Sequence, residues 1–254
     1  MTATDTPPDT DTTPTKSATP TESATPTEPT TPYAQAAPAE PTAPYAQAPG
    51  DPYRYGVYLR PDPATCLAVT TVTAQLRAQY GIVSAGAFPP HATLVGSRHI
   101  TAPPEAIVAA VTEGLAGVRS FTVHNAGVRR QGVGLVYDVH HLADGTTPNE
   151  AFTRLAARVD EAVLPLDSPA PNHTAAFDAD TFQAHLSLVS HDMYVRPDLS
   201  EEVEEYVTGL PVPFPATFPG DTVTLYRTRS DDWAGRWWQT LTWDHVHTWR
   251  LPVR

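Results

Sequence analysis

Cysteine occurs once in this chain, at Cys66, so neither a disulfide framework nor a cysteine-rich metal site can be built. Lysine also occurs once, at Lys16, and the charge balance is acidic, with a formal net charge of −12. Long, sequence-independent grip on nucleic acid needs clustered cations that displace counterions, which this composition does not supply. A small nucleotide or an RNA end read locally stays open as a partner; a long duplex does not. No stretch approaches the ~20 apolar residues of a membrane span. No basic start followed by an apolar run marks a secretory signal. These absences lead us to expect a cytoplasmic, monomeric protein in a reducing setting, with no membrane partner.

Val, Ile, Leu, Phe and Trp are missing altogether from residues 1–50, which hold 11 of the 28 prolines. Without them a segment cannot bury enough surface to offset the entropy of ordering. Ser17-Ala-Thr-Pro20 is echoed at Ser23-Ala-Thr-Pro26, and Pro-Tyr-Ala-Gln-Ala occurs at Pro32 and again at Pro44. We therefore expect a disordered Pro/Thr-rich tail over 1–50 and a folded domain over 51–254. The tail carries six acidic residues and Lys16, net −5, which leaves −7 for the folded part.

In that folded part, Tyr55–Arg60 reads as a first strand. Asp62-Pro63 reads as an N-cap with proline at the first helical position, opening a helix along Leu67, Val69, Val72, Leu76 and Tyr80 that stops near Gly81. A second helix is predicted from Thr101 to about Leu115. Phe121–Val128 and Val133–Val139 look like a hairpin around Arg129-Arg130-Gln131-Gly132. Thr147-Pro148-Asn149-Glu150 has the pattern of a capping box, ahead of a helix along Phe152, Leu155, Ala156, Val159 and Val163. A Pro/Ala/Asp-rich loop covers about 165–181, and a strand follows from Phe182 to Ser190. Asp198-Leu-Ser-Glu201 repeats the capping logic for a helix ended by Gly209, and Asp221–Arg229 and Arg236–Trp249 close the chain as strands. The sum is an α+β body of two similar halves, each holding one short phrase.

That phrase is His91-Ala92-Thr93-Leu94, written again as His185-Leu186-Ser187-Leu188. Strand side chains alternate faces, so His91, Thr93 and Val95 are expected on one side, opposite Ala92 and Leu94. His185, Ser187 and Val189 are likewise expected opposite Leu186 and Leu188. At ~3.3 Å rise per residue the imidazole and the hydroxyl of each copy stand about 6.6 Å apart, a spacing that can grip one phosphate. Two imidazoles facing one phosphodiester can divide the work: a neutral one takes a proton from the attacking water and a protonated one gives a proton to the leaving oxygen. An unperturbed pKa near 6.5 lets both states coexist around neutrality. The Thr93 and Ser187 hydroxyls are expected to hold the non-bridging oxygens. No metal and no cofactor is required.

Other residues fit lesser roles. Arg129, Arg130 and Tyr137 are candidates to meet phosphate or base in a groove, with Arg130 and Tyr137 our choices as substrate-binding residues. His140-His141 reads as a pair of solvated loop histidines. His245-x-His247 has metal-compatible spacing on a strand but no evident third ligand. Trp233, Trp237, Trp238, Trp243 and Trp249 read mostly as core or sheet-face residues.

The twin motifs, 94 residues apart, resemble the two-histidine (2H) phosphoesterase superfamily. Tyr55-Gly-Val-Tyr-Leu-Arg-Pro, the Pro89-Pro90-His91 entry and the closing Leu225-Tyr-Arg-Thr and Trp238-Gln-Thr-Leu stretches are most similar to its cyclic nucleotide phosphodiesterase branch, with 2′-5′ RNA ligase-like proteins as relatives. The resemblance runs from about Tyr53 to Leu251. It implies a bilobal, pseudo-symmetric α+β fold, with two antiparallel-sheet lobes, outer helices and a central groove. It also implies metal-independent opening of a 2′,3′-cyclic nucleotide or of ADP-ribose 1″,2″-cyclic phosphate, with His91 as acid and His185 as base. Where the family has an aromatic residue soon after the second motif, this chain has Ser190 and His191. The rival readings are an RNA-end phosphodiesterase or 2′-5′ RNA ligase-like protein, and a non-catalytic nucleotide-binding module.

Overall fold

Two turns of chemistry legible in the chain fix its first helix. In the computed structural model, which describes residues 53–168 and 177–253, strand β1 (Tyr53–Leu59) runs into helix α1 (Pro63–Tyr80). The Asp62 carboxylate accepts from the Thr65 N–H at 2.9 Å, and Gly81 ends the helix in the left-handed conformation at φ 69°. Val69, Val72 and Leu76 form the buried face, whereas Leu67 is 69% exposed. The expectations for the first 50 residues lie outside the described residues, as does part of the loop expected over 165–181.

The rest alternates in the expected α+β manner: β2 (Ala92–Arg98), α2 (Pro104–Gly114), β3 (Phe121–His124), β4 (Val128–Gln131), β5 (Gly134–Asp138), α3 (Glu150–Val163), β6 (His185–Val189), α4 (Asp192–Val195), α5 (Ser200–Gly209), β7 (Thr217–Gly220), β8 (Thr222–Arg229) and β9 (Thr242–Arg250). One antiparallel sheet has the order β2-β1-β8-β9 and another β4-β5-β6, while β3 and β7 make a separate pair. The halves echo each other. In each, a strand leads through a helix to a motif strand that pairs antiparallel with it, β1 with β2 and β5 with β6. Each helix then packs on the other half's motif strand, α1 on β6 and α3 on β2. That exchange ties the halves together and brings β2 and β6 near one another.

Four sequence expectations are corrected. The stretch Phe121–Val128 is not one strand: β3 pairs with β7, a strand absent from the expected order, and the hairpin is β4–β5 with Gln131 opposite Gly134. Its turn is Gly132-Val133, with Gly132 at φ 57°, so Arg129 and Arg130 lie in a strand and not in the turn. The two capping boxes do not form. Thr147 donates to Asp144 at the carboxylate Oδ2, and helix α3 starts behind Asn149, whose side chain donates instead to the Thr122 carbonyl at 3.0 Å. Asp198 sits in a 3-10 turn, and no side chain caps α5. Residues 237–239 make another 3-10 turn, so the last strand begins at Thr242.

Candidate active site

Each motif strand carries a bulge at the same letter of the phrase. Thr93 opposes Tyr58 and Val95 opposes Val57, which leaves Leu94 as the extra residue of β2. Ser187 opposes Val136 and Val189 opposes Leu135, which leaves Leu188 as the extra residue of β6. A bulge inserts one residue and re-aims the side chains after it. Strict alternation therefore holds through the hydroxyl and then fails. Leu94 and Val95 are both buried, as are Leu188 and Val189, all at 4% exposure or less. The expectation that Val95 and Val189 share the face of the histidines is thus overturned. The shared Leu is the bulge residue that locks each motif strand into the core.

His91, Thr93, His185 and Ser187 all line one cavity of about 230 Å³. The two imidazoles are held alike. His91 Nδ1 lies 2.7 Å from the Pro89 carbonyl and His185 Nδ1 lies 2.8 Å from the Gln183 carbonyl, each two residues back. A carbonyl only accepts, so each Nδ1 carries the hydrogen, and in the neutral ring Nε2 keeps the lone pair available to a ligand. Pro89 and Pro90 explain why the first motif is set this way, since prolines without N–H groups deliver the chain at fixed φ to the strand.

Burial pushes the His91 pKa down from the ordinary 6.5 to about 4; the Pro89 carbonyl works against that fall and the charge of His185 adds to it. Burial also lowers His185, where the Gln183 carbonyl and the Asp138 carboxylate oppose the fall and Arg129 deepens it. The sign for stability follows. The unfolded chain binds a proton at His91 near pH 6.5, whereas the folded chain resists it until about pH 4. Stability is therefore expected to drop as pH falls through that window, by at most about 3 kcal/mol from this group at ~1.36 kcal/mol per unit. Urea denaturation of wild type and His91→Phe between pH 7 and 4 checks this: the variant's curve should be the flatter one.

The cavity walls were only partly readable in the sequence. Tyr58 meets His91 edge-on with ring centres 4.6 Å apart, and Phe88 does so at 4.8 Å. Gly56 makes room for this: a Cβ there would stand 2.2 Å from the Tyr58 hydroxyl, which explains the glycine in Tyr55-Gly-Val-Tyr. Beyond the second motif, His191 lines the cavity with its Nδ1 2.7 Å from Ser190 Oγ, and Trp237 meets its ring edge-on at 4.9 Å. The aromatic wall that seemed missing after His185 is thus supplied by Phe88 and by Trp237. The Asp192 carboxylate accepts from the Val83 and Ser84 N–H groups at 3.0 and 2.6 Å, joining the loop after α1 to the loop after β6.

Arg130 and Tyr137 are not among the residues lining the cavity. Arg130 pairs with Glu204 on the surface, and Tyr137, opposite Leu186 in the sheet, packs against Phe214 on the core side. Both fail for one reason: register puts them on the face opposite His185. Arg129 is on the histidine's own face, opposite Val136, and its Nε lies 2.8 Å from Asp138. His140 is buried, not solvated, and His141 bonds Asp138. His245 and His247 oppose Tyr226 and Leu225 across another bulge, so they occupy opposite faces of β9 and cannot share a metal. Among the described residues no group of three or more His, Cys, Asp or Glu side chains is placed to hold a metal ion. No helix among them is long and apolar enough to cross a membrane.

Solved structures similar to this chain include one described as a phosphoesterase, at 16% identity over 79% of this chain and 99% of the other, with a TM-score of 0.49. Escherichia coli LigT in apo form follows at 15% identity, covering 80% and 99%, with a TM-score of 0.47. Usb1 of Kluyveromyces marxianus is at 9% identity, covering 75% and 96%, with a TM-score of 0.35. No curated protein matches in sequence. The family model for the 2′-5′ RNA ligase superfamily matches residues 61–232, which is more than half of the chain and spans both motifs. With the fold, the paired motif strands and that match together, the chain belongs to the 2′-5′ RNA ligase superfamily, the 2H phosphoesterases.

Proposed function

We propose that this protein hydrolyses a small cyclic phosphodiester, a 2′,3′-cyclic nucleotide or ADP-ribose 1″,2″-cyclic phosphate, by a metal-independent two-histidine mechanism. The observation that carries the reading is the cavity itself, where both imidazoles have Nδ1 fixed by a carbonyl and both hydroxyls stand beside them. One imidazole Nε2 takes a proton from water as its oxygen forms the new P–O bond. The other Nε2 gives a proton to the ester oxygen as the old P–O bond breaks. Thr93 and Ser187 donate to the non-bridging oxygens as charge builds on them.

The surroundings of the two rings favour one division of labour. Burial works against a proton on both, and at His185 Arg129 opposes the proton while Asp138 supports it, but at His91 burial together with the His185 charge carries the fall to about 4. The first proton therefore goes to His185, making it the acid to the leaving oxygen and leaving His91 neutral as the base. This reverses the assignment that the family resemblance implied. Phe88, Tyr58 and Trp237 offer ring faces and edges for a base or a ribose.

The test is a panel of cyclic mononucleotides, ADP-ribose 1″,2″-cyclic phosphate and cyclic-ended RNA, each with and without EDTA. We expect turnover of the small esters, unchanged by EDTA. Thr93→Val and Ser187→Ala should each lose about 10²- to 10³-fold in kcat, the range for removing one donor to a developing oxyanion. Turnover confined to RNA would move the reading to an RNA-end phosphodiesterase. Tight nucleotide binding without product would leave a binding module.

A further inference from the structure

Behind His185 stands a carboxylate with every oxygen occupied. Asp138 lies directly across the β5–β6 ladder from His185, and antiparallel partners have Cα atoms about 4.5–5.5 Å apart. Its Oδ1 accepts from the His140 N–H at 2.9 Å and from the His141 N–H at 3.3 Å. Its Oδ2 lies 2.7 Å from His141 Nδ1, which must donate because a carboxylate only accepts, and 2.8 Å from Arg129 Nε. Asp138 is 4% exposed, so this is a fixed negative charge in a poorly solvated place. Arg129 in turn donates from Nη2 to the Gln183 side-chain oxygen at 3.0 Å, and it is the Gln183 carbonyl that holds His185 Nδ1. A positive and a negative group thus flank one imidazole through the same short network. Among the described residues His91 has no such carboxylate partner; its fixed contacts are the Pro89 carbonyl, Tyr58 and Phe88.

We propose that Asp138 and Arg129 are positioning residues that set the proton affinity of His185 from opposite directions, Asp138 holding the proton on it and Arg129 limiting how tightly. The proposal rests on the reading of His185 as a proton carrier in the cyclic phosphodiester reaction. The charged and titratable groups facing His185 are Asp138 from β5, Arg129 from β4, His91 beside β2 and His191 after β6. Only the first two differ in sign at neutral pH, which is what makes them separable. A charge within ~4–6 Å moves a pKa by about 1–3 units when buried, and of the two Arg129 weighs more on His185 than Asp138 does. The asymmetry is useful chemically: two like-placed imidazoles in one cavity must differ in proton affinity before one can serve as acid and the other as base.

The test breaks the same ion pair from each side. Asp138→Asn is expected to lower the His185 pKa and Arg129→Gln to raise it, the rise being at least as large as the fall. NMR titration of the His185 ring, assigned by its loss in His185→Asn, reads this directly and needs no substrate. A merely structural ion pair predicts movement in the same direction for both variants, or none, and either result overturns the proposal. In turnover, the basic limb of the kcat/KM profile should follow His185, falling to lower pH in Asp138→Asn and rising in Arg129→Gln. Opposite NMR shifts with an unmoved turnover profile would keep the electrostatic coupling and overturn the proton-carrier role instead. Asp138 caps two backbone N–H groups, so Asp138→Asn is checked for a folded spectrum first. Should it unfold, Arg129→Gln is read against Arg129→Lys, which keeps the charge: loosened packing would raise the His185 pKa in both, so only a rise in Arg129→Gln that Arg129→Lys does not share supports the proposal, and an equal rise in both overturns it.

Discussion

His91→Ala and His185→Ala are each expected to lower kcat on a 2′,3′-cyclic nucleotide by about 10²- to 10⁴-fold, the span for a positioned general acid or base. The loss should fall on kcat more than on KM, because proton transfer belongs to the transition state and ground-state grip is shared with Thr93, Ser187 and the aromatic walls. The double variant is expected to cost little more than the worse single one. An acid without its base, or a base without its acid, has already lost the concerted step, and groups that act as a unit are far from additive. Both rings make one side-chain hydrogen bond each, to a carbonyl two residues back, so neither substitution should unfold the chain. A double variant that turns over the cyclic ester at the wild-type rate would overturn the proposed function. A loss confined to KM would make the histidines phosphate ligands and not proton carriers.

What could be read in the chain and what could not divide along the range of the interactions involved. The helix caps at Asp62 and Gly81 were legible because their partners lie within four residues. The His-x-hydroxyl faces were legible because period-two alternation needs no partner strand. The bulges at Leu94 and Leu188 were not, since only the register against β1 and β5 defines an extra residue. The same holds for the arginine on His185's face of the sheet. One residue of register decides between Arg129 and Arg130, and that register is set by the turn at Gly132-Val133, which the sequence left open by one or two positions. Phe121 pairs with Gly220 across 99 residues, and no local pattern announces β7. The failed capping boxes show the other limit. Thr147 had a better acceptor close by in Asp144, and Asn149 found one in β3, so a fitting local motif lost to competing partners.

Arg98→Met is expected to be the most destabilising single change outside the cavity, by about 3–5 kcal/mol. Arg98 closes β2, is 3% exposed, and divides its guanidinium between Asp160 on α3 and Asp167 just beyond it. Asp160 also accepts from the Phe177 N–H at 3.1 Å, so this carboxylate serves the backbone as well as the arginine. Breaking such a triad from the arginine side takes the guanidinium away from two carboxylates whose side chains are each 7% exposed, and that loss outweighs whatever the intact triad contributes over an apolar replacement. At ~2–4 °C per kcal/mol for a body of this size, Tm should fall by roughly 6–20 °C. Removing the two negative charges should recover part of it, so Arg98→Met with Asp160→Asn and Asp167→Asn is expected to melt above Arg98→Met alone. The position matters for the site as well. Arg98 fastens the far end of the first motif strand to the helix that packs on it from the other half of the chain, while His91 sits at the near end. At a temperature where the variant is still folded, kcat should stay within a few-fold of wild type, because nothing in the triad reaches the cavity. A variant that melts normally but has lost its turnover would mean that the tether aims the motif strand and is not chiefly a staple of the core.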